Sequence, residues 1–430
     1  MATQQAALYQ DLADRYRSVR ALTRDLASPL SDADATIQPM ADASPTKWHL
    51  AHTSWFFETF VLRDHVAGYR PHEPGWSYLF NSYYDGEGER VARERRGMLS
   101  RPSLDQILDY RCAVDAALLG ALAALPDTAL RLIELGLNHE QQHQELILMD
   151  ILAAMAANPL RPALWPALAD DAAAAAPAPL KWISRPGGIV QIGHDCEGPA
   201  ASPKTGFAFD CEGPRHRHYL RPYALADRPV TNGEWLSFMA DGGYRDPLLW
   251  LSDGWAWVRE QGAAHPLYWQ QDPGGGWLRF GLDGLQPVNP AAPVCHVSQF
   301  EADAFARWSG ARLPTEAEWE AAAASADPHS GEQLDAAGPA HPVPTPAGEG
   351  PRDLFGNVWE WTASAYLPYP GFRAAVGAVG EYNGKFMSGQ AVLRGGSCAT
   401  PRGHLRPSYR NFFYPHQRWM FAGLRLARDD

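Results

Sequence analysis

Two histidines, His139 and His143, stand four residues apart in the run LNHEQQHQE (137–145), followed directly by apolar Leu146, Ile147, Leu148, Met149, Ile151 and Leu152. On a helix, positions i and i+4 stack one turn apart on one face, so both imidazoles can reach a single metal ion. The same spacing also arises on a polar helix face that happens to carry two histidines, and the pair alone does not separate these readings. A second cluster adds weight: His49 and His52 lie three residues apart in KWHLAHTSWFFETF (47–60). Two histidine-bearing helices that face each other would build a metal site in the core of a helical bundle.

The elements needed to hold such a site can be read in order. Residues 4–27 form an amphipathic pattern, with Leu8, Leu12, Tyr16, Val19 and Leu22 at three- and four-residue steps, stopped by Ser28-Pro29. Ser44-Pro45-Thr46 resembles a helix start, with a polar cap and an early proline, and opens the helix of His49 and His52. Residues 69–102 look irregular; they contain Tyr83, Tyr84 and the basic run Arg90, Arg93, Arg95 and Arg96, and so long an excursion suggests function. Helices are expected at about 103–124 and 127–157, the last carrying His139 and His143. The expected first domain is therefore a four-helix bundle, residues 1–158.

Residues 159–180 are rich in Ala and Pro and read as a linker. From 181 to 430 the texture changes to short β-like runs, many glycines and frequent Trp and Tyr, which predicts an α+β domain. Gly187 to Gly193 reads as a strand, Ala302 to Ser309 and Ala317 to Ala324 as short helices, and 325–350 as a surface excursion. The fold class is thus multidomain, α followed by α+β.

Composition excludes several classes of function. Lys+Arg 37 against Asp+Glu 49 leaves a net charge of −12, which argues against nucleic acid or an anionic membrane as partner. No run is long and apolar enough to span a membrane, and the N-terminus carries no apolar leader. The five cysteines, Cys112, Cys196, Cys211, Cys295 and Cys398, are odd in number and widely spaced without a CxxC pair, so a disulfide framework or thiolate zinc site is not indicated, and a reducing cytoplasm is expected.

Four motifs, PVTNGEW (229–235), RLPTEAEWE (312–320), GNVWEW (356–361) and RGGS (394–397), with GLRLA (423–427) at the end, resemble in order the signatures of the formylglycine-generating-enzyme, or sulfatase-modifying-factor, family. That resemblance implies a C-type-lectin-like fold. The first half, with HLAH (49–52) and HEQQH (139–143), is similar to DinB-like bundles. Their fusion is the architecture of the ergothioneine-biosynthesis sulfoxide synthases, non-haem iron enzymes that join a thiol to hercynine with dioxygen. Carried over by motif, His52, His139 and His143 would be the Fe2+ ligands, with His49 beside them in a supporting role. Three protein ligands leave positions open for dioxygen and substrate, although three imidazoles do not by themselves distinguish iron from zinc, which has no redox chemistry with dioxygen.

The same resemblance assigns the remaining candidates. Gln142 would bind the hercynine imidazole, and Asn411 and Phe412, with Phe413 next to them, would receive its trimethylammonium group through aromatic faces and oriented dipoles. Tyr83 and Tyr84 match the paired tyrosines of the cysteine-accepting subgroup and would deliver a proton. Arg93 and Arg96 would clamp the carboxylate of the thiol. Phe413 stands where the γ-glutamylcysteine-using branch has an acidic residue, which favours cysteine. A formylglycine-generating activity is rejected because Cys398 has no partner cysteine nearby. Alternatives are a selenoneine synthase using a selenosugar, a histidine-using sulfoxide synthase, or a non-enzymatic metal-binding module.

Overall fold

The computed structural model describes residues 2–167, 179–195, 206–375, 377, 380 and 383–430. They divide into two compact units, Met1–Asn158 with Ala336–Gly338 and Ala375–Tyr382, and Pro159–Asp335 with Pro339–Ala374 and Asn383–Asp430. Much of the stretch expected to be a linker, 168–178, lies outside the described residues, as does Cys196.

The first unit contains α1 (Ala2–Ala27), α2 (Asp32–Thr36), α3 (Thr46–Phe57), α4 (Trp76–Phe80), α5 (Leu104–Ala121) and α6 (Asp127–Ala157). The long helices form the bundle: α3 packs on α5 and α6, and α1 on α6. Every residue of α3 is buried, including its histidines, as expected for a helix surrounded by others. Two expectations need correction. Ser44 does not cap α3; Pro45 occupies that position without a side-chain cap, while the Ser44 backbone N–H donates to Asp150 and its hydroxyl accepts from Arg96. Nor is 69–102 wholly irregular, since it holds α4 and the 3-10 turns Asp85–Glu87 and Arg93–Met98. A propensity-based reading misses such short elements because tertiary contacts hold them.

A buried polar network fixes the helices against one another. Glu140 of α6 is fully buried and accepts from Arg20 of α1 at 2.9 Å and Arg111 of α5 at 2.8 Å. Arg20 also reaches Asp115 of α5 and Ser54 of α3, both at 2.7 Å, and Arg111 donates to the Leu50 carbonyl and Thr53 hydroxyl of α3, both at 2.9 Å. Burial opposes the charge on Glu140, yet Arg20 and Arg111 outweigh it and hold the carboxyl down to about 2. One turn later, Gln144 donates to the Val19 carbonyl and the Thr23 hydroxyl at 2.8 and 2.9 Å. On another face of α6, Gly136 lets α3 come close: a Cβ there would sit 2.4 Å from a Phe57 ring carbon and 2.9 Å from one of Phe56.

The second unit carries β1 (Trp182–Arg185), β2 (Gly188–Ile192), β3 (His216–Leu220), β4 (Tyr223–Ala226), α7 (Asn232–Ala240), α8 (Ser252–Gln261), β5 (Trp269–Gln271), β6 (Trp277–Gly281), β7 (Gly284–Pro287), α9 (Gln299–Trp308), α10 (Glu316–Ala323), β8 (Trp359–Ala365), β9 (Ala391–Arg394), β10 (Asn411–Phe413), β11 (Ala422–Leu424) and β12 (Ala427–Asp429). Among the described residues the strands form four small sheets, ordered β1-β4-β12, β10-β9-β8-β11, β2-β3 and β5-β6-β7. So much irregular backbone needs other hydrogen-bond partners, and buried arginines supply them. Arg425 grips Glu360 at 2.7 to 2.9 Å and also donates to the carbonyls of Ala226, Arg352 and Asp353, while the Trp319 indole completes Glu360 at 2.7 Å. Arg394 joins Glu320 and Glu316 to the carbonyls of Pro407 and Tyr409. The motif residues of this half are thus the hubs that hold its loops. The stretch 325–350 is not purely a surface excursion, because Gln333 and Leu334 are buried and Leu334 bridges Pro401.

Two substitutions test the first unit. Glu140→Gln leaves two buried guanidinium groups without their shared carboxylate and is expected to lower stability by about 3–5 kcal/mol in urea unfolding. Gly136→Ala is expected to cost about 1–3 kcal/mol through overpacking against Phe56 and Phe57, and to weaken metal binding together with stability.

Candidate metal centre

The face of α6 that Gly136 opens toward α3 continues through His139 and His143. His52 projects from α3 to meet them. One nitrogen of each ring lies within 4.8 Å of the others, and all three side chains are buried. The rings meet edge to face or tilted, with centroids 4.5 Å apart for His139–His143, 5.0 Å for His52–His139 and 4.9 Å for His52–His143. Among the described residues this is the one group of three or more His, Cys, Asp or Glu side chains with ligand atoms placed to share an ion.

The support around His52 identifies the nitrogen it offers. Its Nδ1 lies 2.6 Å from the carbonyl of Phe80, the last residue of α4, and a carbonyl can only accept. The proton therefore sits on Nδ1, and Nε2 is a buried lone pair without a hydrogen-bond partner. The Trp48 indole donates to the neighbouring Leu79 carbonyl at 3.1 Å, so the end of α4 serves two residues of α3 with carbonyls that no further helical turn uses. Trp48 stacks on the His52 ring at 4.6 Å and 12°, and Trp55 at 5.5 Å and 18°.

His49 does not join the three; its Nδ1 lies 2.8 Å from His143 Nδ1 and its Nε2 3.1 Å from Asp150 Oδ2. Burial above all, then the adjacent histidines, pushes His52 and His143 well below the usual histidine range, and burial pushes His139 down to about 3. All three imidazoles are neutral near pH 7. Three imidazole lone pairs crowded together in a buried pocket repel one another and are satisfied by a cation, so the donor set fits a divalent transition metal.

The other candidates fall as follows. Tyr84 is buried against Trp55 and Phe60, with ring centroids 5.5 and 5.2 Å away, and Tyr83 is half-buried beside it at 5.5 Å. Arg96 is buried with its guanidinium 3.4 Å above the Trp48 ring and bonded to the Ser44 hydroxyl at 2.9 Å; burial pushes it down to about 9. Arg93, one 3-10 turn earlier, is exposed. Gln142 is half-buried on α6.

In the second unit, Asn411, Phe412 and Phe413 form β10 at the end of the four-stranded sheet and are half-buried. Phe412 stacks on Tyr366 at 4.1 Å and 13° and lies 5.8 Å from Phe386, Phe413 meets Trp419 edge to face, and the Asn411 side-chain oxygen accepts from the Phe412 N–H. The sequence reading overlooked Trp48 and Asp150. The signal for Asp150 was present, since it lies seven residues, two turns, beyond His143 on the same helix.

Comparison with known proteins agrees with this architecture. Residues 171–430 match the sulfatase-modifying factor enzyme 1-like domain and residues 15–147 the DinB superfamily. The hercynine oxygenase of Mycolicibacterium smegmatis is 35% identical over 98% of this chain and 99% of its own. That of Mycobacterium tuberculosis is 33% identical over 98% of this chain and 99% of its own. The formylglycine-generating enzyme of Mycobacterium tuberculosis is 28% identical over 51% of this chain and 91% of its own. With both units and nearly the whole length accounted for, the chain belongs to the hercynine oxygenase family of oxidoreductases, a DinB-superfamily helical unit joined to a sulfatase-modifying-factor domain.

Proposed function

We propose that this protein is an iron(II)- and dioxygen-dependent sulfoxide synthase that joins hercynine to a thiol, cysteine being the favoured one, in ergothioneine biosynthesis. The observation that carries the proposal is the buried His52, His139 and His143 cluster, with ligand atoms within 4.8 Å, in a chain whose near full-length relatives are named hercynine oxygenases. The reaction balances with one dioxygen: the imidazole carbon and the thiol each lose a hydrogen as the C–S bond forms, sulfur takes one oxygen, and the other leaves as water. Iron(II) in this donor set would supply the redox chemistry with dioxygen that zinc lacks.

The chain's own residues would then bind and orient. Gln142 would hold the hercynine imidazole, Asn411 and Phe412 its trimethylammonium end, and Tyr83 or Tyr84 would move the proton. Arg96 suits a carboxylate of the thiol: among the described residues no acidic group forms an ion pair with it, and its Nε has no hydrogen-bond partner. A buried guanidinium in that condition is completed by an anionic ligand. Arg93 would add charge from the exposed side of the same turn. Phe413, apolar where the γ-glutamylcysteine users are acidic, supports cysteine. The thiols of Cys112 and Cys211, free among the described residues, support a reducing, cytoplasmic setting. No helix among the described residues is long and apolar enough to cross a membrane.

Anaerobic loading with ferrous ion, then oxygen and hercynine with cysteine, γ-glutamylcysteine or a selenosugar, is expected to yield hercynyl cysteine sulfoxide in the cysteine arm. Absence of a sulfoxide with every thiol would overturn the proposal, and product in the selenosugar arm alone would reassign it. His139→Ala is expected to abolish iron retention and turnover; unchanged iron content removes His139 from the ligand set. Replacing Tyr83 and Tyr84 in turn by Phe is expected to slow sulfoxide formation about 10²–10⁴-fold for the proton donor at unaltered hercynine Kd, and equal turnover in both variants retires the role.

A further inference from the structure

Asp150 is a carboxylate with 5% exposure, two helical turns beyond His143 on α6. Burying such a group is costly unless its charge is satisfied, so the partners on its oxygens reveal what it does. Its Oδ2 lies 2.8 Å from the Ser44 backbone nitrogen and 3.1 Å from His49 Nε2. His49 Nδ1 in turn lies 2.8 Å from His143 Nδ1. A backbone N–H can only donate and an ionised carboxylate can only accept, so the chain has one direction. His49 carries its proton on Nε2 and gives it to Asp150, leaving Nδ1 as an acceptor. The proton between the two rings then belongs to His143 Nδ1, and His143 Nε2 bears the lone pair. The opposite direction would require a proton on Asp150, which the Ser44 N–H directed at the same oxygen disfavours.

We propose that Asp150 and His49 are positioning residues that fix the tautomer of His143, holding its Nε2 unprotonated so that this nitrogen is the one presented to the metal. The inference rests on reading His52, His139 and His143 as metal ligands. His52 reaches the same state by a different route, its Nδ1 proton given to the Phe80 carbonyl. An outer partner that sets ring orientation and tautomer is commonly worth 10- to 100-fold in metal affinity.

The test uses the full chain, metal-free and labelled with 15N-histidine, as wild type and as Asp150→Asn, with the His143 signals identified by their loss in His143→Gln. The asparagine keeps the shape of Asp150, and its oxygen can still accept from Ser44. The same oxygen also faces His49 Nε2, so the direction of the chain stays allowed while the charge that holds it is gone, and His143 is no longer confined to the Nδ1-protonated form. Long-range 1H–15N correlation is expected to show His143 protonated on Nδ1 in the wild type and divided between Nδ1 and Nε2 in D150N. The Kd for Co2+, measured by competition with a chromophoric chelator, is expected to weaken about 10- to 100-fold in D150N at unchanged helical content, and Asp150→Glu, which keeps an acceptor, is expected to recover most of it. A wild-type His143 protonated on Nε2, or a D150N chain that binds Co2+ as tightly as the wild type, overturns the proposal. A wild type that binds no Co2+ defeats the ligand reading instead, and the tautomer spectra alone then decide the role of Asp150. Should D150N fail to fold, the wild-type tautomer and the D150E affinity decide it.

Discussion

The interaction on which the first unit most depends is the ion cluster of Glu140 with Arg20 and Arg111. A helix with histidines on it becomes a metal centre only if its rotation about its own axis is held, because a turn of one residue, about 100°, would carry His139 and His143 off the face they share with His52. Glu140 follows His139 directly and points to α1 and α5, while His139 points to α3. Gln144 repeats the arrangement beside His143. Each of the two histidines on α6 is thus paired with a neighbour anchored on a different face. A buried cluster of this kind contributes less net stability than it does specificity of arrangement: well-packed apolar side chains could fill the same volume at similar stability, but without a defined angle for α6.

Closeness of α3 and α6 is the second constraint, and it depends on a missing atom. The rings of Phe56 and Phe57 occupy the space where a side chain at 136 would lie. Distances between helix axes depend on the side chains at the contact, and a glycine one turn before His139 brings the two backbones together where three imidazoles must converge. Glu140 sets the angle of α6 and Gly136 its distance from α3, and together they define the pocket into which His52 projects.

Much of this was legible in the sequence because it follows from periodicity and spacing. The 127–157 helix runs Asp127–Ala157, and the histidines at i and i+4 share a face as the helical repeat requires. What escaped was information carried by tertiary contact. The excursion 69–102 shows weak helical pattern, yet α4 within it supplies the Leu79 and Phe80 carbonyls that hold Trp48 and His52. Ser44 has the composition of a helix cap but its N–H is drawn to Asp150, 106 residues away in sequence. Arg93 and Arg96 look equivalent in the chain and differ in the fold, one exposed and one buried on Trp48. In the second unit, the motif residues Glu316, Glu320, Glu360, Arg394 and Arg425 are legible as a pattern, while their work as loop hubs emerges only with the partners in place.

The three imidazoles are chemically alike but are not supported alike. His52 leans on a backbone carbonyl, whereas His143 is backed by an imidazole that is itself bonded to the Asp150 carboxyl group. A partner with partial negative charge pulls harder on the Nδ1 proton and raises the basicity of the opposite nitrogen, so His143 is the stronger donor of the two. The low-dielectric surroundings amplify that difference, because charge on Asp150 is little screened when the intervening ring, Trp48 and α3 exclude water. A donor set of three nominally equal histidines is thereby made unequal by outer partners alone. What the fold places behind His143 and His52 would, if the three imidazoles hold the proposed metal, tune it without changing any of them.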